Sequence, residues 1–70
     1  MENPVLARLS RLGAGPEPIW LWTLLTVLDC DRYPLSAWNE ALSAALGRRI
    51  FCPTFRALER RLLEAVRTGN

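Results

Sequence analysis

A seventy-residue chain with no histidine and only two cysteines, Cys30 and Cys52, has few side chains with which to run a reaction. General-base work would fall to a carboxylate of raised pKa or to a thiolate. Cys52 is the better placed thiol. It precedes an expected helix start and sits beside Arg48 and Arg49, a setting that lowers a thiol pKa. No base or orienting group accompanies it, and a cysteine there equally takes the place of a serine helix cap. The cysteines show no Cys-x-x-Cys or Cys/His spacing, which speaks against zinc. With no secretory leader recognisable they read as free thiols in a reducing cytosol, and a Cys30–Cys52 disulfide stays open. The sequence holds no Gly-rich phosphate loop, carboxylate ladder or nucleotide motif. The expectation is a cytoplasmic binding protein and not an enzyme, without cofactor, metal or small-molecule substrate.

Binding chemistry is better supplied. All nine positive side chains are arginine, and the net charge is +2. Residues 1–47 carry Arg8, Arg11 and Arg32 against Glu2, Glu17, Asp29, Asp31 and Glu40, a net of −2. Residues 48–70 carry Arg48, Arg49, Arg56, Arg60, Arg61 and Arg67 against Glu59 and Glu64, a net of +4. The basic character therefore belongs to the last third. Codon bias accounts for arginine without lysine, as does a need for planar bidentate donors.

Proline and glycine divide the chain into four helices of one all-α domain, residues 1–70. Asn3 and Pro4 form a cap and first-turn pair for a helix over 4–12, with Val5, Leu6, Leu9 and Leu12 on one side. Pro18 opens a second over about 18–29. Ile19, Trp20, Leu21, Trp22, Leu24, Leu25, Val27 and Leu28 surround it, and Thr23 and Thr26 mark its only less apolar edge. Such a helix must be buried all round. Three short neighbours can hardly cover it, so it is either a core helix with an exposed tryptophan or two, or a helix shared with a second protomer. Its longest apolar run is about half a membrane span. Ser36 is a candidate cap for a third helix over 35–46, with Leu35, Trp38, Leu42, Ala45 and Leu46 inward and Ser36, Asn39, Glu40 and Ser43 outward. Gly47 ends it in the left-handed region. The stretch 49–52 has the makings of an extended segment. Pro53 opens a fourth helix to about 68, with Phe55, Leu58, Leu62, Leu63 and Val66 inward and Gly69 closing it.

On that last helix Arg56, Arg60 and Arg67 fall within about 40° of one another on an outer flank. Arg48 and Arg49 lie just upstream, and Thr54 stands in the first turn. Arginines with hydroxyl and backbone donors at a helix start suit phosphate oxygens and guanine edges. The competing account is a solvated face in which Arg60 pairs with Glu64 one turn on. Glu59 projects inside the apolar arc, where it either is partly exposed or needs a partner such as Arg8.

An apolar helix, an amphipathic helix ending at Leu46-Gly47, a turn, and a helix opening with Pro-Thr is a helix-turn-helix order. Pro34-Leu35-Ser36, Ala45-Leu46-Gly47-Arg48-Arg49-Ile50 and Pro53-Thr54-Phe55-Arg56-Ala57-Leu58-Glu59-Arg60-Arg61-Leu62 resemble the winged helix-turn-helix core of bacterial transcriptional regulators of the PadR-like type, over residues 19–67. The resemblance implies DNA binding by the fourth helix, with Thr54, Arg56 and Arg60 at contact-type positions. The turn over 47–53 is longer than the minimal one, the spacing from Thr54 to Leu62 is one residue off the commonest pattern, and the seventy residues include no β-wing. Two functions are expected in order. The first is a DNA-binding, homodimeric regulator using Arg48, Arg49, Thr54, Arg56, Arg60 and Arg67. The second is a helical adaptor, inhibitor or antitoxin-like subunit that docks on a protein through Trp20, Leu21, Trp22 and Leu25.

Overall fold

A computed structural model describes residues 3–30 and 32–68. Among them lie four helices and no strand: α1 (Pro4–Arg11), α2 (Pro18–Thr23, continued by a π-helical turn over Leu24–Leu28), α3 (Leu35–Leu46) and α4 (Phe55–Arg67). The all-α bundle expected from sequence is the observed fold. Asp31, counted above among the acidic residues, and Gly69, assigned above to a helix end, lie outside the described residues.

The helix ends follow local chemistry, with two corrections. Asn3 caps α1 as expected, its Oδ1 accepting the N–H groups of Val5 and Leu6 at 2.9 and 3.1 Å. Its Nδ2 also donates to the Ala37 carbonyl at 3.0 Å and to Glu40 at 3.3 Å, so one side chain both starts α1 and ties it to α3. Gly47 ends α3 with φ 68°, the left-handed conformation that favours glycine. Ser36 does not cap α3, because the helix already includes Leu35 and the half-in residue is Pro34. Pro53 likewise stands outside α4. Thr54, extended at φ −139°, is the cap, and its Oγ1 accepts the Ala57 N–H at 3.1 Å.

α2 and α3 both pack on α4 and on each other, and α1 lies against α3. The core is filled by Val5 and Leu9 of α1, Leu21, Leu24 and Leu25 of α2, Ala37, Trp38, Ala41 and Leu42 of α3, and Leu58 and Leu62 of α4, with Cys52 from the connecting segment. Each such leucine contributes roughly 1.5–3 kcal/mol relative to an exposed one. Trp38 is enclosed, its ring edge-on to Tyr33 at 5.9 Å, and its indole N–H has no hydrogen-bond partner among the described residues.

The π-helical turn is where sequence periodicity and structure part. The Asp29 N–H bonds back five residues, to the Leu24 carbonyl, at 2.8 Å. That wider turn re-phases the end of the helix, so Leu28, which an even α-helical step would set beside Leu21, Leu24 and Leu25, swings out with Val27. Asp29 follows at the end of the turn, with its side chain buried. It accepts from Arg8 Nε at 3.2 Å and from the Tyr33 hydroxyl at 2.6 Å, which joins α1, the end of α2 and the turn before α3.

Candidate binding surfaces

The outward face of α4 presents Arg56, Glu59, Arg60, Leu63, Glu64 and Arg67 to solvent, with Arg61 half-buried. Arg60 and Arg67 line one shallow groove together with Leu63, Glu64 and Thr68. A second cleft shares Glu64 and Thr68 with it and adds Leu46, Arg48, Arg61 and Ala65. Arg48 therefore faces the C-terminal half of α4 and shares this cleft with Arg61, which sequence spacing did not single out. Arg49 parts from this group and lines a groove along α3 with Glu40 and Phe51. Thr54 is exposed at the start of α4, its hydroxyl engaged in the cap.

Electrostatically the α4 face is open. The one ion pair among the described residues is Arg8–Asp29, so Arg48, Arg49, Arg56, Arg60, Arg61 and Arg67 have no carboxylate partner. The expected Arg60–Glu64 pair is not formed. Glu59 does not receive Arg8 either. It is exposed, in a shallow cleft with Leu25, Thr26, Cys30 and Phe55, because the apolar arc of α4 is uncovered on that side.

The α2 face needed more correction. Leu21 and Leu25, named above as interface residues, are core residues at 1% and 8% exposure. Trp22 is half-buried and Trp20 is 41% exposed. The residues that join Trp20 outside are Ile19, Val27 and Leu28, Val27 at 66%. A uniform 100° wheel already sets Val27 within about 20° of Trp20, and misses only Leu28, because it carries no π-helical turn. The threonines add little polarity to this side: Thr23 Oγ1 donates to the Ile19 carbonyl and Thr26 Oγ1 to the Trp22 carbonyl, both at 2.8 Å.

No protein-family model, curated protein or solved structure matches the chain.

The thiols make a poor reactive pair. Both are free, Cys30 exposed and Cys52 buried. Burial pushes the Cys52 thiol up, and the nearby Arg61 only partly opposes it, so the lowered pKa that Arg48 and Arg49 suggested does not arise. Nor does Cys52 cap α4, since Thr54 does.

What sequence reasoning missed altogether is a polar clamp inside the fold. Asn39, assigned to the outer face of α3, is 7% exposed. Its Oδ1 accepts the Cys52 N–H at 2.7 Å and its Nδ2 donates to the Cys52 carbonyl at 3.0 Å. One turn on, Ser43 Oγ accepts the Ile50 N–H at 2.9 Å and lies 3.2 Å from the Ile50 carbonyl. The available signal was an amide and a hydroxyl four residues apart beside an apolar face, opposite a segment with no helical pattern.

Proposed function

We propose that this chain binds duplex DNA through the outer face of α4, with Arg56, Arg60 and Arg67 on phosphates and base edges and Arg48 and Arg61 on an adjacent backbone. The observation that carries this reading is a row of exposed arginines on one helix with no carboxylate partners among the described residues. Guanidiniums left unpaired in an isolated protein retain their full donor capacity for a polyanion. The mutual packing of α2, α3 and α4 fits the tri-helical unit of a helix-turn-helix, and the resemblance to PadR-like regulator cores points the same way. Arg49, directed to another groove, is left out of this contact set.

Affinity for duplex DNA should fall linearly in a plot of log affinity against log salt. An Arg56→Ala/Arg60→Ala double variant should weaken binding more than about tenfold and flatten that slope. Absence of binding at low salt, or a double variant that binds as the parent does, would falsify the reading.

A second reading rests on the bare side of α2. Ile19, Trp20, Val27 and Leu28 form an uncharged outer face on which Thr23 and Thr26 bond to their own helix. Exposed apolar side chains on this scale are the material of protein contacts, a second copy of this chain included. Dimerisation through α2 would present two α4 faces to one duplex. Sedimentation equilibrium tests it: a Trp20→Ser/Val27→Ser variant should lose any self-association that the parent shows, and a parent that is monomeric throughout removes the dimer.

A further inference from the structure

The hydrogen bonds of the segment between α3 and α4 give it one satisfied edge and one open edge. In an extended chain the N–H and C=O of a residue point to the same side, and alternate residues point to opposite sides. Ile50 directs both groups at Ser43, and Cys52 directs both at Asn39. These two side chains, one helical turn apart on α3, thus stand where a neighbouring strand would supply its backbone. The intervening residues, Arg49 and Phe51, then turn their N–H and C=O groups the other way, and neither residue's backbone has a hydrogen-bond partner among the described residues. The open edge is short. Upstream, the Arg48 N–H is taken by the Ser43 carbonyl, and downstream Pro53 has no N–H.

Side chains complete the site. Phe51 is 78% exposed, more than any other large apolar residue described. It shares with Arg49 a groove along the outer side of α3. An aromatic ring held in water beside an unpaired guanidinium, on an edge with two free donors and two free acceptors, fits a strand-addition site. We propose that residues 49–51 capture an extended acidic peptide by antiparallel β-augmentation, with a carboxylate opposite Arg49 and an apolar side chain, two residues earlier, against Phe51. Charge complementarity decides between a peptide and a second copy of the segment. Antiparallel self-pairing through the same two residues sets Arg49 against the second copy's Phe51 and leaves the two Arg49 side chains as diagonal like-charged neighbours, with no carboxylate in residues 48–52 to separate them, and Glu40, the acidic residue of the groove, already accepts from Asn3.

The test titrates the whole chain with the capped peptide Ac-TVTET-NH2 and follows backbone amide resonances. Saturable shifts centred on the Arg49 and Phe51 amides are expected. In the free protein these two amide protons should exchange fast, and those of Ile50 and Cys52 slowly. Methylating the valine and glutamate nitrogens of the peptide removes two strand bonds and should weaken binding at least about tenfold, as should replacing its glutamate with lysine. Phe51→Pro deletes the edge donor without touching the Asn39 and Ser43 bonds and should abolish the shifts in a chain that still melts cooperatively. Four results overturn the proposal: no saturable shift, equal binding of the methylated peptide, movement of the same amides with protein concentration alone, or their perturbation by duplex DNA but not by peptide. The first two leave no strand addition, the third assigns the edge to a second copy, and the fourth assigns it to nucleic acid.

Discussion

α2 and α4 lie against each other and bury leucines in one core, yet their outer faces are built differently. α4 divides cleanly. Leu58 and Leu62 are inside, and Arg56, Glu59, Arg60, Glu64 and Arg67 are outside, with Leu63 as the one apolar intrusion. α2 is apolar on both sides, with Leu21, Leu24 and Leu25 inside and Ile19, Trp20, Val27 and Leu28 outside. The inner faces resemble each other because a small core accepts only close-packed hydrocarbon. The outer faces are free of that demand, so they can differ in chemistry. Unpaired arginines suit a polyanion, and bare aliphatic and aromatic surface suits another protein.

The largest effects should come from the side on which the two helices agree. Leu24→Ala in α2 and Leu58→Ala in α4 each empty a fully buried site, and each should lower the unfolding free energy by about 2–5 kcal/mol in urea titrations. A loss under about 1 kcal/mol at either position would detach that helix from the shared core.

Helix starts should then separate the pair. α4 is capped by the Thr54 hydroxyl, whereas Glu17 at the head of α2 makes no side-chain cap bond. Thr54→Ala should cost about 1 kcal/mol, while Glu17→Ser should leave stability unchanged or raise it by a fraction of that. Equal losses in thermal melts would erase the distinction.

At the other end of α2 the chain leaves the π-helical turn through Cys30, a non-glycine residue at φ 52°. Left-handed backbone disfavours a side chain, so Cys30→Gly should stabilise the fold by about 0.5–1 kcal/mol. A destabilised glycine variant would show that the Cys30 side chain holds the end of α2.

The smallest effect is alkaline and belongs to the junction behind α2. The Tyr33 hydroxyl donates to the Asp29 carboxylate, which raises its pKa from the ordinary 10.0. Its stabilising contribution is complete below that value and is lost as pH rises through the higher folded one. Burial shifts Cys52 in the same direction from 9.0, so both groups weaken the fold at high pH. Between about pH 8 and about pH 11 the urea midpoint should fall, and in Tyr33→Phe it should fall less. An unchanged pH dependence in that variant would remove Tyr33 from the linkage.

How much of this was legible depends on sequence distance. Asn3, Pro4, Pro18 and Gly47 announce helix ends because a cap involves groups only a few residues apart. The apolar stripes of α1, α3 and α4 are readable for the same reason, except that Leu12 and Leu63, which spacing assigned to them, are each 42% exposed. Asn39 was misplaced because its partner, Cys52, is thirteen residues away and belongs to an irregular segment, and polarity alone does not tell a buried clamp from a wet face. The exposure of Glu59 was one of the two accounts its spacing allowed, but the true partner of Arg8, Asp29, is twenty-one residues on and was not legible, for want of the same long-range knowledge.

The sequence by itself determined an all-α chain of four helices, an arginine-rich last helix and an over-apolar second one, since period, capping and charge are local properties. Only the tertiary structure decided which side of α2 stays bare, and one π-helical turn added Leu28 to it. It also decided that Arg48 joins Arg61 on α4 while Arg49 turns to α3, and that Asn39 and Ser43 hold one edge of residues 49–52. Those outcomes depend on how the helices close on one another, and packing across the core is not written in the spacing of neighbouring residues.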